Sequence, residues 1–485
     1  MEHRRNNRIV TTLLLFLPFF FITSCTKDLI GPLEEEEMYP IENLEPLSIN
    51  SSTIPSFLLN DLGEFHSVNC RFHFTQNGFD YFVYVSNNEN GSFLFKRIEK
   101  EWVLVDINRE SRLRDARNYR QVDDYTFVIA QPGEGVPNYL DWGGYIWKLK
   151  IVNDKMTFSK ITDVFEYWHS IGVGDLNGDG LWDVMSGSWV IIQNNDGTFK
   201  TYNLGPSTVG TYTANTGQYI DPNFKLFDTK RLYELKIPLE PRIVDLFPGG
   251  RKEVLLSFID VSHNITEEEQ NVPRGNFLIY EYNPTTDKYE VAFELPRRTV
   301  GLSESANSAQ VADLNGDGIN DIVLEISGEP NRLQPMEVWL GKPDKTFYRQ
   351  QKFDIDVATS QFDLFDVNGD NRPDIILRAR IDQGNLVRNW CTSECGERQQ
   401  NNLPVKDGIF LHKAIYLNDG SGNFYPPQQE IIVDIPEGWN GAWIMPFMRN
   451  GNLTFHANNW INVKNDLGIA DLVIFDLEIN KNTIH

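Results

Sequence analysis

The chain has 485 residues, of which 41% are hydrophobic, 12% aromatic and 23% charged, and it contains 35 glycines and 24 prolines. This composition excludes global disorder, a coiled coil and collagen, and it favours a β-rich globular protein with many turns. The formal net charge is −24, and no basic run follows the first ten residues, so a nucleic-acid partner is not expected.

Residues 1–24 have the pattern of a secretory signal peptide. Three arginines precede an apolar run over residues 9–22, which is shorter than the roughly 20 residues that span a bilayer. The run ends in Ile22-Thr23-Ser24-Cys25, which resembles a bacterial lipobox. The resemblance implies that Cys25 is acylated, by palmitate or a similar chain, and becomes the mature N-terminus. The alternative is a short N-terminal membrane anchor.

Residues 25–55 read as an acidic, flexible tether. The run Glu34–Glu37 follows the cysteine closely, and acidic residues in this position resemble the surface-export signals of Bacteroidetes lipoproteins. The resemblance implies a lipid-anchored protein on the bacterial outer membrane, exposed at the cell surface. The alternative is a solvated tether on an anchor that faces the periplasm.

Three segments farther along share the pattern Asp-x-Asn-Gly-Asp-Gly/Asn-x-x-Asp. They are residues 175–183, 313–321 and 366–374. Alternating apolar residues precede each segment, and an apolar burst follows it. This arrangement predicts a strand, a tight polar loop and a second strand.

The loop pattern is suited to a hard cation. Oxygen atoms at positions 1, 3, 5 and 9, with a backbone carbonyl at position 7, give the all-oxygen ligation that Ca²⁺ prefers. Position 6 requires a positive φ, which explains Gly180, Gly318 and Asn371. The alternative is a metal-free polar turn. The predicted ligands of about three structural Ca²⁺ ions are Asp175, Asn177, Asp179, Leu181, Asp183, Asp313, Asn315, Asp317, Ile319, Asp321, Asp366, Asn368, Asp370, Arg372 and Asp374.

A weaker pattern, an acid followed by a β-branched or aromatic run, extends the repeat along the chain. It occurs at residues 80, 124, 183, 253, 321, 374 and 471, an average step of about 65 residues. The spacing predicts an all-β fold, a β-propeller of seven four-stranded blades, with six or eight as alternatives. Residues 381–410 read as an insertion. In the copy at 245–253, Phe247 and Gly249 replace two ligands, so no metal is expected there.

A second periodic feature supports the repeat. Three polar turns, each of which closes an apolar run, precede Phe199, Phe347 and Phe424. They predict hairpins late in a blade, in which the aromatic residue starts the outer strand.

The three loops with their flanking strands resemble FG-GAP/VCBS repeats, which occur in integrin-type propellers and many secreted bacterial proteins. The resemblance implies a propeller over residues 56–485, in which Ca²⁺ links the first two strands of a blade. It implies no particular activity.

Other chemistry-bearing residues are few. His66 and His169 precede predicted inner strands, where they could perform acid–base chemistry at a central channel or be ordinary rim residues. Cys391 and Cys395 suggest a local disulfide, with a zinc half-site as the alternative. Tryptophans near loop ends could stack on sugar rings or belong to the core between blades. They are Trp142, Trp168, Trp189, Trp390, Trp439 and Trp443.

Three functions remain open from sequence. The first is a surface lipoprotein whose calcium-braced propeller binds a glycan or a protein. The second is a carbohydrate-active enzyme, a polysaccharide lyase or glycoside hydrolase that uses the central face. The third is a structural or adhesion subunit of an envelope complex. Because fold does not determine function, the sequence does not choose between them.

Overall fold

The computed structural model describes residues 71–484, apart from residues 86–91, 100, 109–117, 132–143, 166–167, 169, 188, 205–223, 229–237, 248, 259–276, 295–304, 328–333, 356–358, 382–408, 429–430, 434–441, 462–470 and 482–483. The described chain is almost entirely β-structure. One 3₁₀ turn, Leu411–Ala414, is its helical element, and no described helix is long and apolar enough to cross a membrane.

The first five blades are antiparallel sheets of four strands each, with sequential strands side by side. Blade 1 contains β1 (Arg71–Gln76), β2 (Phe79–Val85), β3 (Ser92–Ile98) and β4 (Glu101–Asn108). Blade 2 contains β5 (Asn118–Gln121), β6 (Thr126–Ala130), β7 (Ile146–Val152) and β8 (Lys155–Lys160). Blade 3 contains β9 (Gly172–Gly174), β10 (Asp183–Ser186), β11 (Trp189–Gln193) and β12 (Phe199–Asn203). Blade 4 contains β13 (Pro238–Val244), β14 (Glu253–Phe258), β15 (Phe277–Asn283) and β16 (Lys288–Glu294). Blade 5 contains β17 (Ser305–Ala312), β18 (Asp321–Ser327), β19 (Gln334–Gly341) and β20 (Phe347–Ile355).

The last two blades share hydrogen bonds and together form one seven-stranded sheet. Blade 6 contains β21 (Thr359–Phe365), β22 (Asp374–Ile381), β24 (Ile415–Asn418) and β25 (Phe424–Tyr425). The described strands of blade 7 are β27 (Ala442–Arg449), β28 (Asn452–Ile461) and β29 (Asp471–Ile479). A separate pair joins β23 (Ile409–Phe410) to β26 (Ile432–Val433). The prediction of an all-β, seven-bladed propeller is confirmed.

The core lies between the blades. Every residue of β6 and of β10 is buried, because a blade inside the ring is covered on both faces. One apolar cluster joins blades 2 and 3 through Val128, Ile146 and Ile191. Burial on both faces explains why these strands read as continuous apolar runs rather than as a strict alternation.

The ring closes where blade 7 meets blade 1. Arg449 Nε donates to Asp80 Oδ2 over 2.8 Å, a contact between residues 369 positions apart. Beside it, the ring of Phe447 stacks on His73 at a centroid distance of 3.6 Å, and His456 lies 4.1 Å from Phe82. An ion pair and a buried aromatic cluster therefore join the two ends of the propeller.

The predicted repeat markers match the strands in six of seven blades. Asp80, Asp183, Glu253, Asp321 and Asp374 lie in the second strand of their blades, and residue 124 comes just before that strand in blade 2. Asp471 instead begins β29, the last strand of blade 7, so the prediction of that marker was wrong in position. The predicted aromatic starts of outer strands are confirmed, at Phe199, Phe347 and Phe424.

Candidate functional site

The three acidic loops occupy the same place in three blades. Each connects the first strand of its blade to the second, in blades 3, 5 and 6. They therefore lie at one edge of the propeller, as the strand–loop–strand pattern predicted.

The first acid of each loop fixes the loop backbone. Asp175 Oδ1 accepts from the Gly178 N–H at 2.6 Å, and its Oδ2 accepts from the Gly180 N–H at 2.8 Å. Asp313 and Asp366 make the same two contacts in their loops. These interactions orient the carboxylate into the turn.

The middle of each loop is equally regular. The position-3 side-chain oxygen, from Asn177 in blade 3, accepts the N–H of position 5 at 3.0 Å. Asp179 Oδ1 in turn accepts the N–H of Leu181. Position 6 has a positive φ, 84° at Gly180 and 64° at Asn371, as expected. The loop therefore curls so that its oxygen-bearing side chains face the same turn.

The acid at position 9 is completely buried and holds two strands. The Leu176 N–H donates to Asp183 Oδ2, and the Gln193 N–H donates to Oδ1, each over 2.9 Å. Because Gln193 ends β11, this carboxylate links the loop to the third strand of the blade. Asp321 and Asp374 make equivalent pairs of contacts in blades 5 and 6.

The loops concentrate negative charge. Burial, with a smaller contribution from the acids at positions 1 and 5, raises the pKa of Asp183 to about 6, of Asp321 to about 6 and of Asp374 to about 7, although the backbone N–H groups that each carboxylate accepts from oppose this rise. Among the described residues, no three His, Cys, Asp or Glu side chains converge in a metal-binding arrangement. By donor type each loop fits a hard divalent cation, because it supplies carboxylate and amide side-chain oxygens within one turn.

The decayed loop of blade 4 keeps one part of this design. The N–H groups of Leu246 and Phe247 donate to Glu253 Oε2 at 2.8 and 3.2 Å. Burial raises the pKa of Glu253 as it does for the aspartates. At position 3, Phe247 is buried in the core between blades 4 and 5 instead of offering an oxygen.

In blades 1 and 2, the same edge exposes large hydrophobic side chains to solvent. Four large hydrophobic side chains at its turns have exposed fractions between 38% and 45%, and we call them the turn-edge patch: Phe79, Ile98, Tyr125 and Val152. The side chain of Gln76 joins the two blades here, since its Nε2 donates to the Asp124 carbonyl at 2.7 Å. The patch therefore lies at four hairpin turns of two blades, and this hydrogen bond links the first hairpin of blade 1 to the first hairpin of blade 2.

Polar groups lie within and beside the patch. Lys96 Nζ lies 4.1 Å from the centre of the Phe79 ring and 3.0 Å from Asp154 Oδ2. The Tyr81 hydroxyl donates to Asp154 Oδ1 at 2.6 Å. Partial burial and this hydrogen bond raise the pKa of Tyr81. Although partial burial opposes it, the bonds from Tyr81 and Lys96 lower the pKa of Asp154. Charged hydrogen-bonding groups are thus fixed next to an exposed aromatic ring.

Sequence reasoning missed the turn-edge patch. Its signal was available in Asn77-Gly78, a two-residue hairpin turn followed by the aromatic Phe79. Of the tryptophans, Trp168 is buried, and its Nε1 donates to the Gly144 carbonyl at 3.0 Å, so it belongs to the core. Several predicted residues lie outside the described part of the chain, namely Cys25, His66, Trp142, His169, Trp390, Cys391, Cys395 and Trp439.

Comparison with known protein families identifies one repeat in the chain. Residues 313–377, which include two of the acidic loops, match the family model of the FG-GAP-like repeat. No curated protein matches the chain.

Two of the solved structures that are similar to the chain illustrate its fold. One is an extracellular domain assigned to a one-component system of B. thetaiotaomicron, with 11% identity, a TM-score of 0.40, and coverage of 89% of this chain and 40% of that one. The other is a Trypanosoma rangeli sialidase bound to 2,3-difluorosialic acid, with 10% identity, a TM-score of 0.37, and coverage of 85% and 54%. The chain thus spans about half or less of either protein. Residues 313–377 are an FG-GAP-like repeat within a seven-bladed β-propeller.

Proposed function

We propose that the chain is an exported, lipid-anchored protein of the bacterial outer membrane, and that its calcium-braced propeller binds a glycan. The turn-edge patch is the observation that carries the binding role. It combines exposed apolar rings with hydrogen-bonded polar groups on the hairpin turns of two neighbouring blades.

The anchor rests on the N-terminal pattern. Cys25 follows an apolar run and precedes an acidic tether. An acylated cysteine would hold the propeller at a membrane surface, since two or more acyl chains give stable anchoring. The tether would let the propeller reach ligands away from that surface.

Calcium would serve as a structural brace. In blades 3, 5 and 6 the ligands would be the side-chain oxygens at positions 1, 3, 5 and 9 and the carbonyl at position 7. When bound, the ion would neutralise carboxylates that otherwise accept hydrogen bonds from backbone N–H groups and from the position-3 asparagine. The acids of these loops thereby stiffen the scaffold, which supports a binding role rather than a role in turnover.

The patch has the chemistry to hold a sugar. Exposed aromatic faces such as those of Phe79 and Tyr125 can cover the apolar C–H face of a pyranose ring. Lys96, whose Nζ lies over the Phe79 ring, and its partner Asp154 can bond to the hydroxyl groups of the sugar. A partner recognised by this combination carries rings and hydroxyls together, as a polysaccharide does.

Retention on a polysaccharide panel tests the proposal. Full-length chain in detergent is run through gels that contain each polysaccharide, with calcium present, and the same mixtures are assayed for new chain ends. We expect retention by at least one polysaccharide without cleavage. Phe79→Ala should weaken that retention about tenfold, which corresponds to ~1.4 kcal/mol.

Tyr348→Ala is the matched control. Tyr348 is an equally exposed aromatic residue with a lysine, Lys342, over its ring, but it lies on β20 of blade 5. Retention should be unchanged in this variant. New chain ends would favour an enzyme instead. Retention by no polysaccharide, or equal loss in both variants, would contradict glycan binding at the patch.

A further inference from the structure

We infer that the three acidic loops are unequal calcium sites, and that Arg251 and Lys481 weaken two of them. Each of these residues comes from a part of the chain that follows the loop it contacts. The inference rests on the proposed calcium brace and adds to it an order of affinity among the loops.

In blade 3, an arginine lies against the loop. Arg251 Nη1 is 3.4 Å from the carbonyl oxygen of Leu176, at position 2 of the loop. A Cβ on Gly178, at position 4, would lie only 2.8 Å from Arg251 Nε. The guanidinium is therefore packed directly on the loop backbone.

The position of this guanidinium is fixed from its other side. Its central carbon lies 3.7 Å from the centre of the Tyr282 ring, a cation–π contact. The Tyr282 hydroxyl donates to Asp287 Oδ1 at 2.5 Å, which orients that ring. The positive charge thus stays beside the loop.

In blade 6, a lysine occupies the comparable place. Lys481 follows β29 of blade 7. A Cβ on Gly369, at position 4 of the blade 6 loop, would lie 3.3 Å from Lys481 Cδ and 3.5 Å from its Nζ. This loop also has a basic group against its turn.

The blade 5 loop differs at both points. The position-2 carbonyl of Leu314 accepts from Asn418 Nδ2 at 2.9 Å, so the next blade supplies a neutral amide where blade 4 supplies Arg251. Added Cβ atoms on Gly316 and Gly318 would meet no heavy atom within 4 Å beyond their chain neighbours. The turn of this loop is therefore open.

The basic residues beside two of the loops set the order of calcium affinity among the three. A cation held against a partly buried loop neutralises part of its carboxylate charge and repels a second cation. The loop at 313–321 should therefore bind Ca²⁺ most tightly. The loops at 175–183 and 366–374 should bind Ca²⁺ about tenfold more weakly. When no metal is bound, Arg251 and Lys481 should partly neutralise the carboxylate charge of these two loops.

Calorimetric titration of the full-length chain in detergent with Ca²⁺ tests this order. The wild type should show one tight site and two weaker sites. Asp317→Asn should remove the tight site. Arg251→Gln should convert one weak site to a tight one, and Lys481→Gln should do the same for another, each by about tenfold.

Lys160→Gln is the matched control. It also removes one positive charge beside an aromatic ring, since Lys160 Nζ lies 4.3 Å from the centre of the Tyr145 ring, but it is the last residue of β8 in blade 2. Its titration should match that of the wild type. Three equal sites, or no change in both glutamine variants, would overturn the inference and leave the calcium brace standing. No binding up to millimolar Ca²⁺ would overturn both.

Discussion

The loops of blades 3, 5 and 6 and the loop of blade 4 occupy the same connection, but blade 4 keeps only the first and the last acid, Asp245 and Glu253. In blade 4, Glu253 accepts from the N–H of Leu246 just as Asp183 accepts from Leu176. At positions 3 and 5, however, blade 4 has Phe247 and Gly249 instead of oxygen-bearing side chains. The comparison teaches that position 9 has a task in the fold that does not depend on metal.

The backbone of blade 4 follows a different path. In the complete loops the positive φ angles occur at positions 4 and 6, as at Gly316 and Gly318. In blade 4 they occur at positions 5 and 6, Gly249 and Gly250. Phe247 takes the place of the position-3 amide and packs 5.9 Å from the ring of Phe347. In blade 4, a side chain of the core therefore occupies a position where the other loops have a predicted cation ligand.

The largest expected effect comes from removing the last acid. Asp321→Ala leaves the buried N–H groups of Leu314 and Gly341 without their acceptors, which should cost about 2–6 kcal/mol of unfolding free energy. Glu253→Ala should cost a similar amount for the same reason. Urea unfolding in EDTA measures both.

Calcium distinguishes these two variants. Addition of Ca²⁺ should stabilise the Glu253→Ala protein as much as the wild type, and it should stabilise the Asp321→Ala protein less. Equal calcium responses would mean that position 9 contributes nothing to a cation site. A negligible cost of Glu253→Ala in EDTA would show that the buried hydrogen bonds are not what holds this connection.

A smaller effect is expected at position 6. Gly318 has a φ of 83° with open space around it, so Gly318→Ala meets no steric obstacle and should cost about 1–2 kcal/mol through its backbone conformation alone. Gly318→Asn should be nearly neutral, because Asn371 has a φ of 64° at the same position of blade 6. Equal losses in the two variants, measured by the same urea unfolding, would contradict this account.

Much of the fold followed from local pattern. The three loops, the strands on either side of them and the aromatic starts of the outer strands depend on residues close in sequence, so spacing was sufficient to predict them. The number of blades followed from the same period. Asp471 matches the marker pattern only because it is an acid followed by apolar residues. The turn that comes before the second described strand of blade 7 is instead Asn450-Gly451, which connects β27 to β28.

The long-range contacts could not be predicted in this way. The ion pair of Arg449 with Asp80 joins residues that are far apart in the sequence, and no pattern in the neighbouring residues indicates this pairing. The same holds for Arg251, whose contact with Leu176 depends on how two blades pack. At the loops, the spacing indicated a cation but did not reveal that Asp183 is buried and bonded to two backbone N–H groups. That role depends on the third strand.

Thermal unfolding of the full-length chain with calcium and with EDTA tests the central claim most directly. A cation that binds only the folded loops should raise the unfolding temperature, by the equivalent of about 2.7 kcal/mol for each site at a hundredfold excess over its Kd. A higher unfolding temperature in calcium is the predicted result. The same temperature in calcium and in EDTA would contradict the claim that these loops are calcium braces.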